Sequence, residues 1–280
     1  MRPEAETVAQ LLRLALAEDL GGGDVTSVAT IDPAARGEAA VRAKQELVVS
    51  GLRILAPLWE LVDPQVQVDI RCADGDRLRR GDVLAVIRGS VRSLLAGERV
   101  CLNFLGHLCG IATQTATFVA QVGPHKAKIM DTRKTTPGLR VLEKQAVVHG
   151  GGHNHRMGLF DQILIKDNHL RACGGVTPAV QKARALRPDL KIEVEVTNES
   201  ELREAIAAKA DIVLLDNMDI PQVARCVQIA AGKVEVEVSG GITATMIRPL
   251  AEIGVDRISI GALTHSAPAA DLHMKLTAIS

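Results

Sequence analysis

Six short runs of β-branched and aliphatic residues recur through the second half of this 280-residue chain, each separated from the next by room for one helix. They begin at residues 128, 163, 192, 212, 234 and 257, giving steps of 35, 29, 20, 22 and 23 residues. A strand and a helix fill such a step, which predicts consecutive parallel βα units and hence a barrel or a doubly wound sheet. Helix signals fall between the runs. Thr177-Pro178 reads as a cap before a first-turn proline, Asn198 with Glu201 resembles a capping box, and Gly254 reads as a stop. Pro249 falls inside the last of these helices, where it costs about 3 kcal/mol unless the helix kinks or is shorter.

Residues 1 to about 105 have another texture. Met1–Leu20 reads as an amphipathic helix, Glu38–Val49 as strand, Leu52–Val62 as helix, and Gly75–Gly89 as short strands joined by glycine turns. This predicts a separate α+β module, with an apolar helix over Val91–Val122 carrying the chain between the two. Aromatic residues number only four, Trp59, Phe104, Phe118 and Phe160, so the core must be aliphatic and base stacking on an aromatic platform is not expected. The five cysteines, at 72, 101, 109, 173 and 226, have no metal-site spacing and fit a reducing compartment. No segment has the apolar length of a membrane span or the pattern of a signal peptide, so a cytoplasmic protein is expected.

Charge is placed unevenly. The chain has a formal net charge of zero, yet residues 126–169 hold eight Lys and Arg (126, 128, 133, 134, 140, 144, 156, 166) against four acids (131, 143, 161, 167), a balance of 8 − 4 = +4. A neutral chain with one cationic concentration points to a small polyanionic ligand and away from nucleic acid. In parallel βα architectures ligands bind at the carboxyl ends of the strands. Those ends read Thr132-Arg133-Lys134, Lys166-Asn168, Glu195-Thr197, Asp216-Asn217, Ser239-Gly240-Gly241 and Gly261-Ala262-Leu263-Thr264. The two glycine turns late in the series suit a phosphate, since backbone N–H groups there are free to face it. Gly150-Gly151-Gly152 reads as a flexible loop delivering His153, His155 and Arg156, where the guanidinium argues for a carboxylate ligand and no third His or Cys completes a metal set. Lys166 as a Schiff-base lysine stays open. Strand alternation puts Glu193 with Glu195, and Glu235 with Glu237, on common faces, and carboxylates inside a barrel need either cationic partners or a bound cation.

Eight segments together are more specific: Glu18-Asp19-Leu20-Gly21 with Asp24-Val25-Thr26, Asp131 through Gly138, Gly150 through Leu159, Leu164 through His169, Glu193 through Val196, Leu215-Asp216-Asn217, Glu237 through Gly241, and Gly261 through Thr264. Across nearly the whole chain this set resembles the quinolinate phosphoribosyltransferase family. The resemblance implies an α/β chain: an incomplete parallel α/β barrel over 106–265 plus an N-terminal α+β sandwich domain over 1–105, on which residues 266–280 are expected to pack. It implies transfer of phosphoribose from 5-phosphoribosyl 1-diphosphate to quinolinate with loss of CO₂, the use of Mg²⁺, and a homodimer or dimer-based hexamer with shared sites. By position, Thr132, Arg133, His155, Arg156 and Lys166 match the quinolinate pocket, with Lys134 beside it as a catalytic residue. Arg99 matches an arginine supplied by the neighbouring subunit. Glu195 and Asp216 match carboxylates near the ribose and Mg²⁺, and Ser239, Gly240, Gly241, Gly261 and His265 match the 5-phosphate end. Gln145 and Val148 stand where many relatives carry Tyr and a larger or basic residue.

Overall fold

The computed structural model describes residues 3–279. Contacts divide the chain into two compact units, one made of Met1–Gln114, Thr136–Gly151 and Ala267–Ser280, the other of Thr115–Thr135 and Gly152–Ser266.

The first unit is built on an antiparallel sheet. In chain order it contains α1 (Pro3–Leu20), α2 (Val25–Thr30), β1 (Arg36–Ala43), β2 (Leu47–Val48), α3 (Leu55–Val62), β3 (Gln67–Ile70), β4 (Arg77–Leu78), β5 (Val83–Ser90) and the first part of α4 (Val91–Val122). Residues 1 and 2 of the expected N-terminal helix lie outside the described residues. The run read as one strand over 38–49 is broken at residues 44–46, and its second piece leaves the main sheet to pair with β4. The final strand returns to this unit and pairs antiparallel with β1, giving the order last strand, β1, β5, β3. Trp59, the one tryptophan, is fully buried on α3. A Cβ at Gly97 of α4 would come within 2.4 Å of its ring, so the close packing there requires glycine. Asp24 caps α2 by accepting the Ser27 N–H at 3.0 Å, a structural use of that acid.

The second unit follows the βα rhythm of the sequence. Its strands are β6 (Lys128–Met130), β7 (Ile163–Ile165), β8 (Ile192–Val196), β9 (Ile212–Asp216), β10 (Glu235–Ser239) and β11 (Arg257–Ser259). The intervening helices, with one that belongs to the first unit, are α5 (Arg140–His149), α6 (Asp167–Cys173), α7 (Val176–Leu186), α8 (Glu199–Ala207), α9 (Ile220–Ala230), α10 (Ala244–Ile253) and α11 (Ala262–His265); β12 (Leu272–Ile279) is the strand that returns to β1. The six strands form one sheet in the order β6-β11-β10-β9-β8-β7, every pairing parallel. Chain order is kept from β7 to β11 while β6 joins at the far end, so β6 and β7 are the two edges of an incomplete barrel. Strands buried on both faces read as continuous apolar runs. In β9, Ile212, Val213 and Leu215 are fully buried, and truncating such a leucine to alanine costs about 2–5 kcal/mol.

Helix ends depart from the sequence reading in instructive ways. Helix α7 starts two residues earlier than a Thr177 cap allows, because Gly175 takes the cap position and the Thr177 hydroxyl donates instead to Glu204 at 2.8 Å. Asn198 does cap α8, but Glu201 reaches past it to the backbone of Thr197 at 2.8 Å. Helix α10 runs through Pro249 to a left-handed Gly254, giving up the hydrogen bond residue 249 cannot donate.

Candidate active site

Residues from the carboxyl ends of all six strands line one cavity of about 510 Å³, which lies wholly within the second unit. Thr132, Arg133 and Lys134 follow β6, Lys166 follows β7, Glu195 lies in β8, Asp216 and Asn217 close β9, and Ser239, Gly240 and Gly241 close β10. His155 and Arg156 enter from the segment after Gly152. That segment is not the free loop its three glycines suggest: His153 forms a parallel bridge to Met130, donating to Ile129 O at 2.8 Å and accepting from Asp131 N at 3.0 Å. The fully buried Asp131 then accepts the His155 N–H at 2.8 Å. The chain is thereby laid along the free edge of β6, and two side chains are turned into the cavity.

Three of the fourteen expected site residues do not line it. Gly261 and His265 stand just behind Lys134: a Cβ at Gly261 would meet Lys134 Cδ at 2.9 Å and His265 Nε2 at 3.2 Å. Arg99 is an exposed residue of α4 within the first unit. Conversely, the cavity gains Leu164, Leu214, Asn217, Glu237 and Ser259. Leu164 and Leu214 are alternate-face residues of β7 and β9, and no sequence signal separates them from ordinary core leucines. Glu237 was marked by its alternation with Glu235. The structure chooses between them: Glu237 is fully buried, whereas Glu235 is half-exposed and pairs with Lys191 at 3.1 Å and Arg257 at 2.5 Å.

The floor of the cavity is polar and tightly bonded. His155 Nε2 lies 3.0 Å from Glu193 Oε2 and 3.4 Å from Glu237 Oε1, with both glutamates fully buried. Gln162 Nε2 donates to the same Glu193 oxygen at 2.6 Å, and Ser259 Oγ donates to Glu237 Oε1 at 2.5 Å. Opposing influences meet at His155. Burial lowers its pKa, but the hydrogen bonds and charges of Glu193 and Glu237 outweigh that and push it up to about 9. Against this, the Arg156 N–H donates to Nδ1 at 2.7 Å, which requires a lone pair there. The hydrogen bond decides the tautomer, because a protonated Nδ1 would set two N–H groups head to head; the ring hydrogen sits on Nε2. Burial pushes the Glu193 carboxyl above its ordinary range.

Above this floor the cations are crowded. Burial, and next the charge of Arg133, lower the Arg156 pKa. A dianion bound between Arg133 and Arg156 would relieve that repulsion and gain bidentate hydrogen bonds. Lys166 Nζ is taken by Glu195 Oε2 at 2.6 Å, with the Glu195 side chain only 12% exposed. That ion pair counts against a Schiff-base role for Lys166. A wider groove of about 750 Å³ lies at the opposite, amino-terminal ends of the strands, but its lysines share it with Asp211, Glu235 and Asp256, and Lys126 is bonded to Asp256 at 2.6 Å. Ligands of βα folds bind at the carboxyl ends, and the cationic excess is there.

Gly240 is held by its surroundings. Its φ is +97°, and a Cβ would lie 2.3 Å from Asn217 Oδ1. Gly240→Ala is expected to destabilise the chain by about 1–3 kcal/mol, read as a lowered urea midpoint; an unchanged midpoint would show that the turn relaxes freely.

Comparison with known proteins agrees with this fold. Residues 24–109 match the model of the quinolinate phosphoribosyl transferase N-terminal domain, and residues 111–275 match that of its C-terminal domain. The chain is 44% identical over 269 residues to a probable carboxylating nicotinate-nucleotide pyrophosphorylase of Bacillus subtilis, covering 96% of this chain and 93% of that one. It is 37% identical to quinolinate phosphoribosyltransferase [decarboxylating] 1 of Nicotiana glauca, over 95% of this chain and 81% of that one. The crystal structure of NadC from Streptococcus pyogenes superposes with a TM-score of 0.93 at 41% identity, covering 100% of this chain and 98% of that one. A strand-end cavity rich in Arg and Lys, facing two carboxylates and a glycine turn, thus sits in a chain that belongs to the quinolinate phosphoribosyl transferase family.

Proposed function

We propose that the cavity at the carboxyl ends of the strands is where quinolinate and 5-phosphoribosyl 1-diphosphate meet, so that the chain acts as a carboxylating nicotinate-nucleotide pyrophosphorylase and forms nicotinate mononucleotide, CO₂ and diphosphate for NAD biosynthesis. The observation that carries this is the convergence of Arg133, Lys134, Arg156 and Lys166 with Glu195, Asp216 and the Ser239-Gly240-Gly241 turn around one space. Quinolinate brings two adjacent carboxylates and the donor brings a phosphate and a diphosphate, so the site must neutralise several negative charges while keeping a carboxylate beside a carbon that becomes cationic.

In this reading Arg133 and Arg156 receive the ring carboxylates, with Lys166 and Thr132 completing the pocket. The pyridine nitrogen attacks ribose C1 as diphosphate leaves, and Glu195 and Asp216 stabilise the oxocarbenium-like state between them. Lys134, beside Gly261 and His265, faces the charge that develops on the leaving group. Once alkylated, the ring nitrogen is cationic, so the electron pair left at C2 by departure of CO₂ lies next to a positive charge and needs no organic electron sink. The Ser239-Gly240-Gly241 turn before α10 receives the 5-phosphate through backbone N–H groups.

Glu195 and Asp216 both line the cavity, and Mg²⁺ is commonly held by one or two carboxylates together with substrate phosphates. Glu195 and Asp216 would hold it, and when bound it neutralises charge on diphosphate. We further assign Arg99 to the site of a neighbouring subunit in a homodimer or dimer-based hexamer, because it is exposed and absent from the cavity of its own chain. Mixing an Arg99→Ala variant with a Glu195→Ala variant is expected to restore activity that neither has alone; two preparations that stay inactive together after subunit exchange would place Arg99 elsewhere. A cytoplasmic location fits five cysteines without a disulfide among them and, among the described residues, no helix long and apolar enough to cross a membrane.

The direct test is release of diphosphate and CO₂ with quinolinate compared with nicotinate. Turnover is expected with quinolinate alone, since nicotinate lacks the second carboxylate. Equal turnover of both rings, or of neither, would reject the substrate assignment.

A further inference from the structure

His155 lines the cavity, yet both of its ring nitrogens are already engaged away from the open space. Nε2 is held between Glu193 and Glu237 at 3.0 and 3.4 Å, and Nδ1 accepts the backbone N–H of Arg156 at 2.7 Å. The guanidinium of Arg156 is tied to the same anchor by another route, because its Nη1 donates at 3.2 Å to the carbonyl of Gln162, whose side chain donates at 2.6 Å to Glu193. Beyond Arg156 the chain is turned by Asp161, which accepts the N–H groups of Met157 and Gly158 at 2.7 and 2.9 Å.

We propose that Glu193 and Glu237 are positioning residues that hold His155 as a strut: they grip its Nε2, its Nδ1 fixes the backbone of Arg156, and the imidazole serves to aim that guanidinium instead of binding the substrate through a ring nitrogen. The three ligand-type atoms lie within 4.8 Å of one another, a spacing that also suits a cation. The hydrogen bond into Nδ1 decides against that use, since it leaves Nε2 carrying a hydrogen and without a lone pair to offer. Ser259 belongs to the same device, since its hydroxyl donates to Glu237 Oε1 at 2.5 Å and fixes the carboxylate from the β11 side. The strut accounts for a feature that charge balance alone does not, namely fully buried carboxylates beneath a pocket for a dianion. They contribute as acceptors with a fixed direction, and through His155 and Gln162 they hold the backbone and the guanidinium of Arg156.

This inference rests on quinolinate being the ligand of Arg156, and its tests are chosen to fail separately from that reading. In the wild-type protein, ¹⁵N NMR of the imidazoles, with the His155 signal identified by loss in a His155→Gln variant, is expected to show Nε2 protonated and Nδ1 bare at neutral pH. A hydrogen on Nδ1 overturns the strut whatever the enzyme turns over. In kinetics, Glu237→Leu is expected to raise the KM for quinolinate about tenfold, the loss of one hydrogen bond to a charged acceptor, while kcat and the KM for the phosphoribosyl donor stay within about twofold of wild type. Glu237→Gln keeps an acceptor oxygen and is expected to return most of the affinity. Equal impairment in the Leu and Gln variants would show that the negative charge matters and direction does not, which overturns the proposal, as would no impairment in either. Should the Leu variant fail to fold, Ser259→Ala gives the milder version: a rise of about threefold in the same KM, with an unchanged value counting against the strut. A wild-type enzyme that releases no CO₂ from quinolinate rejects the substrate reading and leaves the NMR result standing.

Discussion

Glu195→Ala is expected to lower turnover at saturating concentrations of both substrates by about a hundred- to a thousandfold, the usual effect of removing one preorganised group from a site where charge develops. Its position argues for an effect on kcat. The carboxylate lies at the carboxyl end of β8, is only 12% exposed, and is held in place by Lys166 at 2.6 Å. A negative charge so fixed, with little water around it, stabilises a cationic ribosyl centre more in the transition state than in the ground state, and such a difference appears in turnover. A parallel Lys166→Met variant separates the two partners. If Glu195 served only to orient Lys166, both substitutions would raise the KM for quinolinate and leave saturated turnover near wild type; that pattern would remove Glu195 from the chemical step.

Arg133→Ala is expected to act on binding, with the KM for quinolinate rising about thirty- to a hundredfold and the KM for the phosphoribosyl donor unchanged. Charge-assisted, two-pronged contacts to a carboxylate are among the stronger polar interactions, and their loss is felt mostly in the ground-state complex when the carboxylate keeps its charge throughout. Arg133 is exposed, so its removal leaves no hole in the core. Arg133→Lys should recover only part of the loss, because an ammonium is a point charge and cannot meet both oxygens in one plane. Removing Arg133 also withdraws one of the influences that lower the Arg156 pKa, so some of the lost attraction returns through a less strained neighbour. A quinolinate KM that stays at the wild-type value in the alanine variant would take Arg133 out of the pocket.

The barrel was legible in the sequence because its signal is local. Each strand carries its own β-branched run, and the steps between runs fix the βα rhythm, so the starts at 128, 163, 192, 212 and 257 fall on observed strands, with β10 beginning one residue after the expected 234. The strand-end residues were legible for the same reason: position along a strand determines which end of the fold a side chain occupies. Partnerships were not. His155 meets Glu193 and Glu237 only because β8 and β10 stand where long-range pairing puts them, and nothing in the local pattern says that, of two glutamates on one face, Glu237 is the buried one and Glu235 the half-exposed one. The glycine run 150–152 misled for a related reason. Flexibility of the isolated segment is a local property, whereas its docking along the edge of β6 through His153 depends on a strand more than twenty residues earlier.

The crowding of Gly240 against Asn217 links two turns that lie on neighbouring strands, since Asn217 itself adopts a left-handed φ of +53° and its side chain fills the space a Cβ at 240 would need. A side chain at 240 and an asparagine at 217 therefore compete for the same space. A relative that bears a side chain at the position of Gly240 should carry a smaller residue, most simply glycine, at the position of Asn217, and a chain in which Gly240 alone has gained a side chain should have a displaced turn.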